Sequence, residues 1–137
     1  GQKDYRIFPN FISNILKNKK INIYGTGNQT RTYCYISDAI EGFLRVICYG
    51  KSGAAYNIGN NKPEVSVKDI HKIFNDIYVK NINANFVNHP KSYPDDEPQR
   101  RCPDINKAKI DLKFEPNVKL KDGLKKFLEW AKFNYTH

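Results

Sequence analysis

Apolar residues recur along this chain at spacings that separate helices from strands. Phe11, Ile12, Ile15 and Leu16 lie three and four apart behind Pro9, which suits a first helical turn, and predict a helix ending at Asn18. Ile21 and Ile23, then Tyr33 and Tyr35, alternate with polar neighbours, and Gly25-Thr26-Gly27-Asn28 supplies turn chemistry between them, which predicts a hairpin. Ile40, Phe43, Leu44 and Ile47 predict a second helix, capped by Ser37 or Asp38 and stopped by Gly50. Residues 54–58 read as a short strand ending in the turn Gly59-Asn60-Asn61. Ser66-Val67-Lys68-Asp69 resembles a capping box opening a helix through Ile70, Ile73, Phe74 and Ile77. Residues 84–87 read as a strand, and residues 89–103, with four prolines, as irregular. Asp104 caps a short helix through Leu112. A last helix over residues 120–133 buries Leu124, Phe127, Leu128 and either Trp130 or Ala131. The expectation is a mixed α/β domain with short strands and five helices.

Composition narrows the class. A chain of 137 residues is one domain by length, and 39% hydrophobic with 27% charged residues describes a soluble globular protein. No apolar run approaches the roughly 18–20 residues of a membrane span, and the N-terminus has no signal-peptide pattern. Cys34, Cys48 and Cys102 form no close pair and no metal-ligand spacing, which implies reduced thiols packed in a cytoplasmic protein and no metal. The net charge of +9 is spread from Lys3 to Lys132, and part of it lies near helix C-termini, where the dipole favours it. Without zinc-finger spacing or an RNP-type motif, it fits a basic surface for a small anion, or simple solubility, better than nucleic acid. A stand-alone basic module for nucleic acid or another polyanion is the alternative.

Two segments could carry chemistry. Gln29 and Arg31 lie two apart where the second strand leaves the turn, so both can project from one face. An amide and a guanidinium so placed suit a nucleobase edge or hydroxyl and a phosphate; the plain alternative is a solvated arginine. Arg100 and Arg101 are adjacent in an extended loop, so only one faces a given ligand, and the alternative is an ion pair with neighbouring carboxylates. Asp38 reads as a helix cap rather than a catalytic acid. Asn57 and Gly59 read as structural.

Taken in order, IYGTGNQTRTYCYISDAIEGF, AAYNIGNNKPEVSVKDI, DEPQRRCPDINKAK and FEPNVKLKDGLKKFLEW resemble the C-terminal half of NAD-dependent sugar-nucleotide epimerases/dehydratases, the extended short-chain dehydrogenase/reductase family. The look is nearest to UDP-glucuronate decarboxylases and dTDP-glucose 4,6-dehydratases, from about Tyr5 to Tyr135. The resemblance implies that residues 1–137 form a small mixed α/β nucleotide-sugar-binding lobe without the main Rossmann sheet. The family's Gly-rich fingerprint and Tyr-x-x-x-Lys pair are not found. The resemblance therefore implies a segment that starts after the catalytic and NAD-binding part, inactive alone. Its partners would be a UDP- or dTDP-sugar, its own N-terminal Rossmann domain and, in the full-length enzyme, a second subunit. It further implies that Phe8, Pro9 and Asn10 lie beside the nucleotide, that Ile23 and Tyr24 flank the base, and that Gln29 and Arg31 form a Q-x-R step. Arg101, with Tyr93 as a weaker candidate, would reach the phosphates or the sugar. Two expectations follow: Arg31 and Arg101 converge with Gln29 on one anion site, and an apolar patch is exposed where the lobe meets the cofactor domain.

Overall fold

Ten short elements form from these patterns in the computed structural model, which describes residues 6–78, 81–90 and 97–135. In chain order they are α1 (Ile7–Leu16), β1 (Ile21–Tyr24), β2 (Thr30–Arg31), α2 (Ile36–Tyr49), β3 (Val65–Ser66), α3 (Val67–Tyr78), β4 (Ala84–Val87), β5 (Arg100–Arg101), α4 (Asn106–Leu112) and α5 (Leu120–Asn134). They divide into two compact units, each discontinuous in sequence. The first comprises Gly1–Gln29, Ser66–Gln99 and Leu124–His137; the second comprises Thr30–Val65 and Arg100–Gly123.

The first unit follows its apolar pattern closely. Pro9 lies in the first turn of α1, where a missing N–H costs nothing, and Phe11, Ile12 and Ile15 are buried. The helix stops where Asn18 turns left-handed at φ 51°, a conformation asparagine tolerates better than most residues. Ile21 and Ile23 then enter the core from β1, which pairs in parallel with β4, Ile21 opposite Ala84 and Ile23 opposite Phe86. A reciprocal capping box opens α3: the Ser66 hydroxyl accepts from the Asp69 N–H at 3.1 Å, and the Asp69 carboxylate accepts from the Ser66 N–H at 3.1 Å. Behind it Val67, Ile70 and Phe74 are buried, and Phe74 meets Phe11 edge-on with ring centroids 6.1 Å apart. On α5 Leu124, Leu128 and Ala131 are buried whereas Trp130 is exposed, so Ala131 completes the helical stripe.

The hairpin expected over residues 21–35 does not form. β1 pairs with β4 and β2 pairs with β5, both in parallel, while Tyr33 lies outside any strand and Tyr35 is the N-cap residue of α2. Glycine turn chemistry signals a reversal of the chain, but not which segments pair afterwards. Residues 54–58 likewise form no strand. Gly59 needs no positive φ, and the Asn57 amide donates to the Asp104 carbonyl at 2.9 Å.

The second unit is built around α2 and α4. No side chain caps α2; Asp38 sits in its first turn, buried, and its carboxylate accepts from the backbone N–H groups of Asn117 (3.1 Å) and Val118 (2.9 Å). Gly42 lets α2 come close to its neighbours, because a Cβ there would stand 2.3 Å from Ile58 Cγ2 and 3.1 Å from Phe114 Cε2. The apolar core is small: Ala108, Leu112 and Phe114, with half-buried Val46, Tyr56 and Ile58 around them. Asp104 does assist α4, its carboxylate accepting from the Asn106 N–H at 2.9 Å. Polar ties add to this core. Arg45 bonds Glu41 at 2.8 Å and the Leu112 carbonyl at 3.1 Å, while Asp111 accepts from Lys51 at 2.8 Å and from the Tyr56 hydroxyl at 3.1 Å. The stripe that predicted α2 is not buried: Ile36, Ile40, Phe43, Leu44 and Ile47 are 51–79% exposed.

Candidate anion-binding site

The ladder between β2 and β5 decides which arginine faces which way. Thr30 is the register partner of Arg100, and Arg31 of Arg101. Paired residues of a parallel ladder share a face, and successive residues alternate. On the Thr30–Arg100 face stands Glu64. Arg100 Nε lies 3.0 Å from both of its carboxylate oxygens and Nη2 lies 2.8 Å from Oε2, while the Thr30 hydroxyl donates to Oε1. The Thr30 hydroxyl first, then Arg100, holds the Glu64 carboxyl below the usual carboxylate range. The ion-pair reading of the double arginine thus applies to Arg100, with Glu64 as its partner.

Arg31 and Arg101 therefore come side by side on the opposite face, and the Thr32 N–H donates to the Arg101 carbonyl at 3.2 Å to fix the strands there. Arg31 Nη1 donates to the Thr30 carbonyl at 2.8 Å, which pins a half-buried guanidinium close to its own strand. Burial pushes the neighbouring Tyr33 hydroxyl up, with Arg31 pulling weakly the other way. Arg101 is exposed, and both it and Arg100 line a cavity of about 470 Å³ together with Thr32, Cys34, Asn60 and Cys102; Arg31 does not line it. That volume falls within the range of small-ligand sites. Burial, then the charge of Asp38, pushes the Cys34 thiol up, which disfavours its thiolate. Among the described residues no group of three His, Cys, Asp or Glu side chains could hold a metal ion.

The remaining candidates belong to the first unit. Pro9 and Asn10 lie in the first turn of α1, and Asn14 Nδ2 donates to the Asn10 carbonyl (2.9 Å) and side-chain oxygen (3.1 Å). Ile23 is a core residue at 1% exposure, so only its main chain could serve a ligand. Tyr24 is half-buried and stacks on His89, centroids 6.0 Å apart and planes 24° from parallel. Gln29 Nε2 donates to the Tyr24 carbonyl at 3.4 Å. Tyr93 lies outside the described residues. Within the second unit the structure brings Arg31 and Arg101 together; within the first it brings Tyr24 and Gln29 together.

The glycine turn between β1 and β2 does not fit a dinucleotide. Gly27 has φ 70°, and a Cβ on it would stand 2.7 Å from Ile23 Cγ2, so glycine is needed for close packing inside the protein. A short strand follows the turn, with no helix N-terminus to receive a pyrophosphate. His89, Thr32, Asn60 and Glu64 escaped the sequence reading. The alternation of Thr30 and Thr32 around Arg31 was the one local sign of a strand carrying polar groups on both faces.

Comparison with known proteins gives the class. The family model described as "NAD dependent epimerase/dehydratase family" matches residues 1–59. The dTDP-D-glucose 4,6-dehydratase of Bos taurus is 36% identical over 132 residues, which is 95% of this chain and 37% of that protein. A UDP-glucuronic acid decarboxylase of Arabidopsis thaliana is 36% identical over 121 residues, 88% of this chain and 34% of that protein. The crystal structure of UDP-glucuronic acid 4-epimerase from Bacillus cereus, in complex with UDP-glucuronic acid and NAD, superposes with a TM-score of 0.85 at 34% identity, covering 98% of this chain and 42% of that one. The chain thus belongs to the NAD-dependent epimerase/dehydratase family of extended short-chain dehydrogenases/reductases and has the fold of its C-terminal part. It spans little more than a third of the length of the curated relatives.

Proposed function

We propose that this chain is the nucleotide-sugar-binding portion of an NAD-dependent sugar-nucleotide decarboxylase, dehydratase or epimerase, most like the UDP-glucuronate decarboxylases. The observation that carries this reading is the register of Arg31 opposite Arg101, with Arg100 drawn off by Glu64 on the other face. Two guanidinium groups on one face suit the two phosphates of a nucleoside diphosphate, each able to give paired, charge-assisted hydrogen bonds. The resemblance adds Pro9, Asn10, Ile23, Tyr24, Gln29 and Tyr93 as further substrate contacts. NAD, the catalytic base and the hydride step are assigned to a Rossmann domain that is this chain's partner in the working enzyme, so the chain alone is expected to turn nothing over. Binding energy from the unreactive nucleotide then orients the sugar for chemistry elsewhere.

Titrating the protein with UDP-glucuronate and with dTDP-glucose tests this. Arg31→Ala and Arg101→Ala should each weaken binding by about 1.5–3 kcal/mol, the range for hydrogen bonds to charged groups. Arg100→Ala should matter far less. An unaltered affinity in the Arg31/Arg101 double variant overturns the assignment. Tighter binding of single-stranded RNA, falling steeply with salt, favours the polyanion reading that the +9 charge suggests.

A further inference from the structure

Two of the three thiols of this chain line the cavity beside β5. Cys34 and Cys102 share it with Arg100 and Arg101, and no carboxylate among the described residues lines it. Alternation along the ladder accounts for this company: Cys102 follows Arg100 by two positions and shares its face, as Thr32 shares that of Thr30. Glu64 grips Arg100 from outside the lining, so the wall itself carries only positive charge. The two thiols differ in their surroundings. Cys34 donates to the Tyr35 carbonyl at 3.7 Å, and burial, then Asp38, disfavours its thiolate. Cys102 is half-buried and its thiol donates to the Asn61 carbonyl at 3.5 Å. Glu64 first, and then the sulfur of Cys102, push the proton affinity of the Arg100 guanidinium up, which places sulfur and cation in direct contact. A sulfur against a cation, reachable from solvent, with about 470 Å³ open before it, is the setting in which cysteines attack electrophiles. Cys48 is exposed on α2, outside the cavity.

We infer that Cys102 is a covalent modification site whose arginine-lined cavity selects small disulfides carrying carboxylates, with glutathione disulfide as the representative reagent. The step balances without a further oxidant. The Cys102 sulfur gives its proton to solvent and attacks one sulfur of the reagent, whose S–S bond breaks as the bond to Cys102 forms. The other glutathione leaves as a thiolate and takes up a proton, so Cys102 is oxidised and the departing half reduced; excess thiol reverses the exchange. The carboxylates of the attached tripeptide then meet Arg100 and Arg101 in charge-assisted hydrogen bonds. Cys34 is a poor resolving thiol, because its thiolate is disfavoured, and the mixed disulfide persists instead of passing on to a Cys34–Cys102 bond. This site goes beyond the function proposed above. Only its consequence rests on that reading: the attached group covers Arg101, one of the two arginines assigned to the diphosphate, and so blocks the nucleotide sugar.

The test incubates the reduced chain with glutathione disulfide and, separately, with cystamine, which has the same reacting bond but two positive charges. Each cysteine is followed by peptide mass spectrometry, with exposed Cys48 as the internal reference. Cys102 should favour the anionic reagent over the cationic one by about ten-fold more than Cys48 does, the low end of what a cleft of one charge sign gives. That excess should vanish when Arg100→Gln and Arg101→Gln are combined. Equal preferences at Cys102 and Cys48 in the unsubstituted chain overturn the inference, a comparison that needs no variant to fold. So does a Cys34–Cys102 cross-link formed in place of the mixed disulfide, or a Cys102 that stays reduced while Cys48 is modified. Titration with UDP-glucuronate reads the consequence: the modified chain should bind about ten-fold more weakly than the reduced one, and dithiothreitol should restore it. Equal binding by the two forms overturns that consequence. Selective modification of a chain that binds no nucleotide sugar even when reduced leaves the site standing and sinks the function.

Discussion

The two units are stabilised by different means. The first buries aromatic and branched side chains from α1, β1, α3 and α5, and its Phe11, Ile21, Ile23, Ile70 and Phe74 have almost no exposed surface. The second has Ala108, Leu112 and Phe114 at its centre and surrounds them with polar ties: Asp38 to two amides, Asp111 to Lys51 and Tyr56, Glu64 to Thr30 and Arg100. Each large apolar side chain fully buried contributes about 1.5–3 kcal/mol, whereas an exposed ion pair contributes about 0–1 kcal/mol. The first unit therefore has the larger apolar core, with six large side chains almost fully buried, compared with Ile105, Leu112 and Phe114 in the second. The second carries the paired arginines and the uncovered face of α2, and its chemistry is displayed on the weaker scaffold.

The largest effect should come from the stronger unit. Phe74→Ala removes a fully buried ring that touches Phe11, and should cost about 3–5 kcal/mol in urea unfolding followed by the single tryptophan, Trp130. Phe114→Ala should fall at or below the low end of that range, because its half-buried neighbours can close the gap; a larger cost than at Phe74 would break the comparison. Next comes Asp38→Ala, which removes a buried carboxylate and strips the Asn117 and Val118 amides of their acceptor. It should cost about 1–3 kcal/mol and speed hydrogen exchange at Asn117 and Val118 before other amides of the second unit. Ser66→Ala, which opens the capping box of the first unit, should cost about 1 kcal/mol and fray only the start of α3 in exchange measurements.

The smallest effect is that of pH on the second unit's ties. Thr30 and then Arg100 hold Glu64 below its ordinary range, and Lys51, with help from Tyr56, does the same for Asp111. A carboxyl with a depressed folded pKa contributes stability above its unfolded pKa, near 4, and loses it as pH falls through the folded value. Acid titration by NMR should therefore shift the Lys51, Tyr56 and Arg100 signals below about pH 4. Trp130 fluorescence should hold over the same range. Trp130 changing first would reverse the ranking of the two units.

Much of this architecture can be read from local pattern. Ser66 and Asp69 mark the start of α3 because capping is settled within four residues, and β4 runs over the residues 84–87 expected to form a strand. Five helices were legible for the same reason. The pairing of the strands was not. β1 with β4, and β2 with β5, are parallel partners 60 to 70 residues apart, and two-residue strands carry no periodicity of their own. Periodicity located α2 but could not say whether its stripe faces inward, since amphipathicity records that a face is apolar and not what covers it. Of the site, Arg31 and Arg101 were readable as cations, but their juxtaposition depends on that long-range register. Glu64, which decides between the two adjacent arginines, gives no local sign of doing so.

The ladder of β2 and β5 has a consequence for how such a chain can vary. It is two residues long on each strand, so little resists a slip of one position. A single-codon insertion or deletion just before Arg100 would bring a different residue opposite Arg31 and turn each arginine to the other face. Glu64, gripping Arg100 through both carboxylate oxygens, works as a reading-frame marker for the site. A lineage that lost this glutamate could exchange the roles of Arg100 and Arg101 without changing either of them.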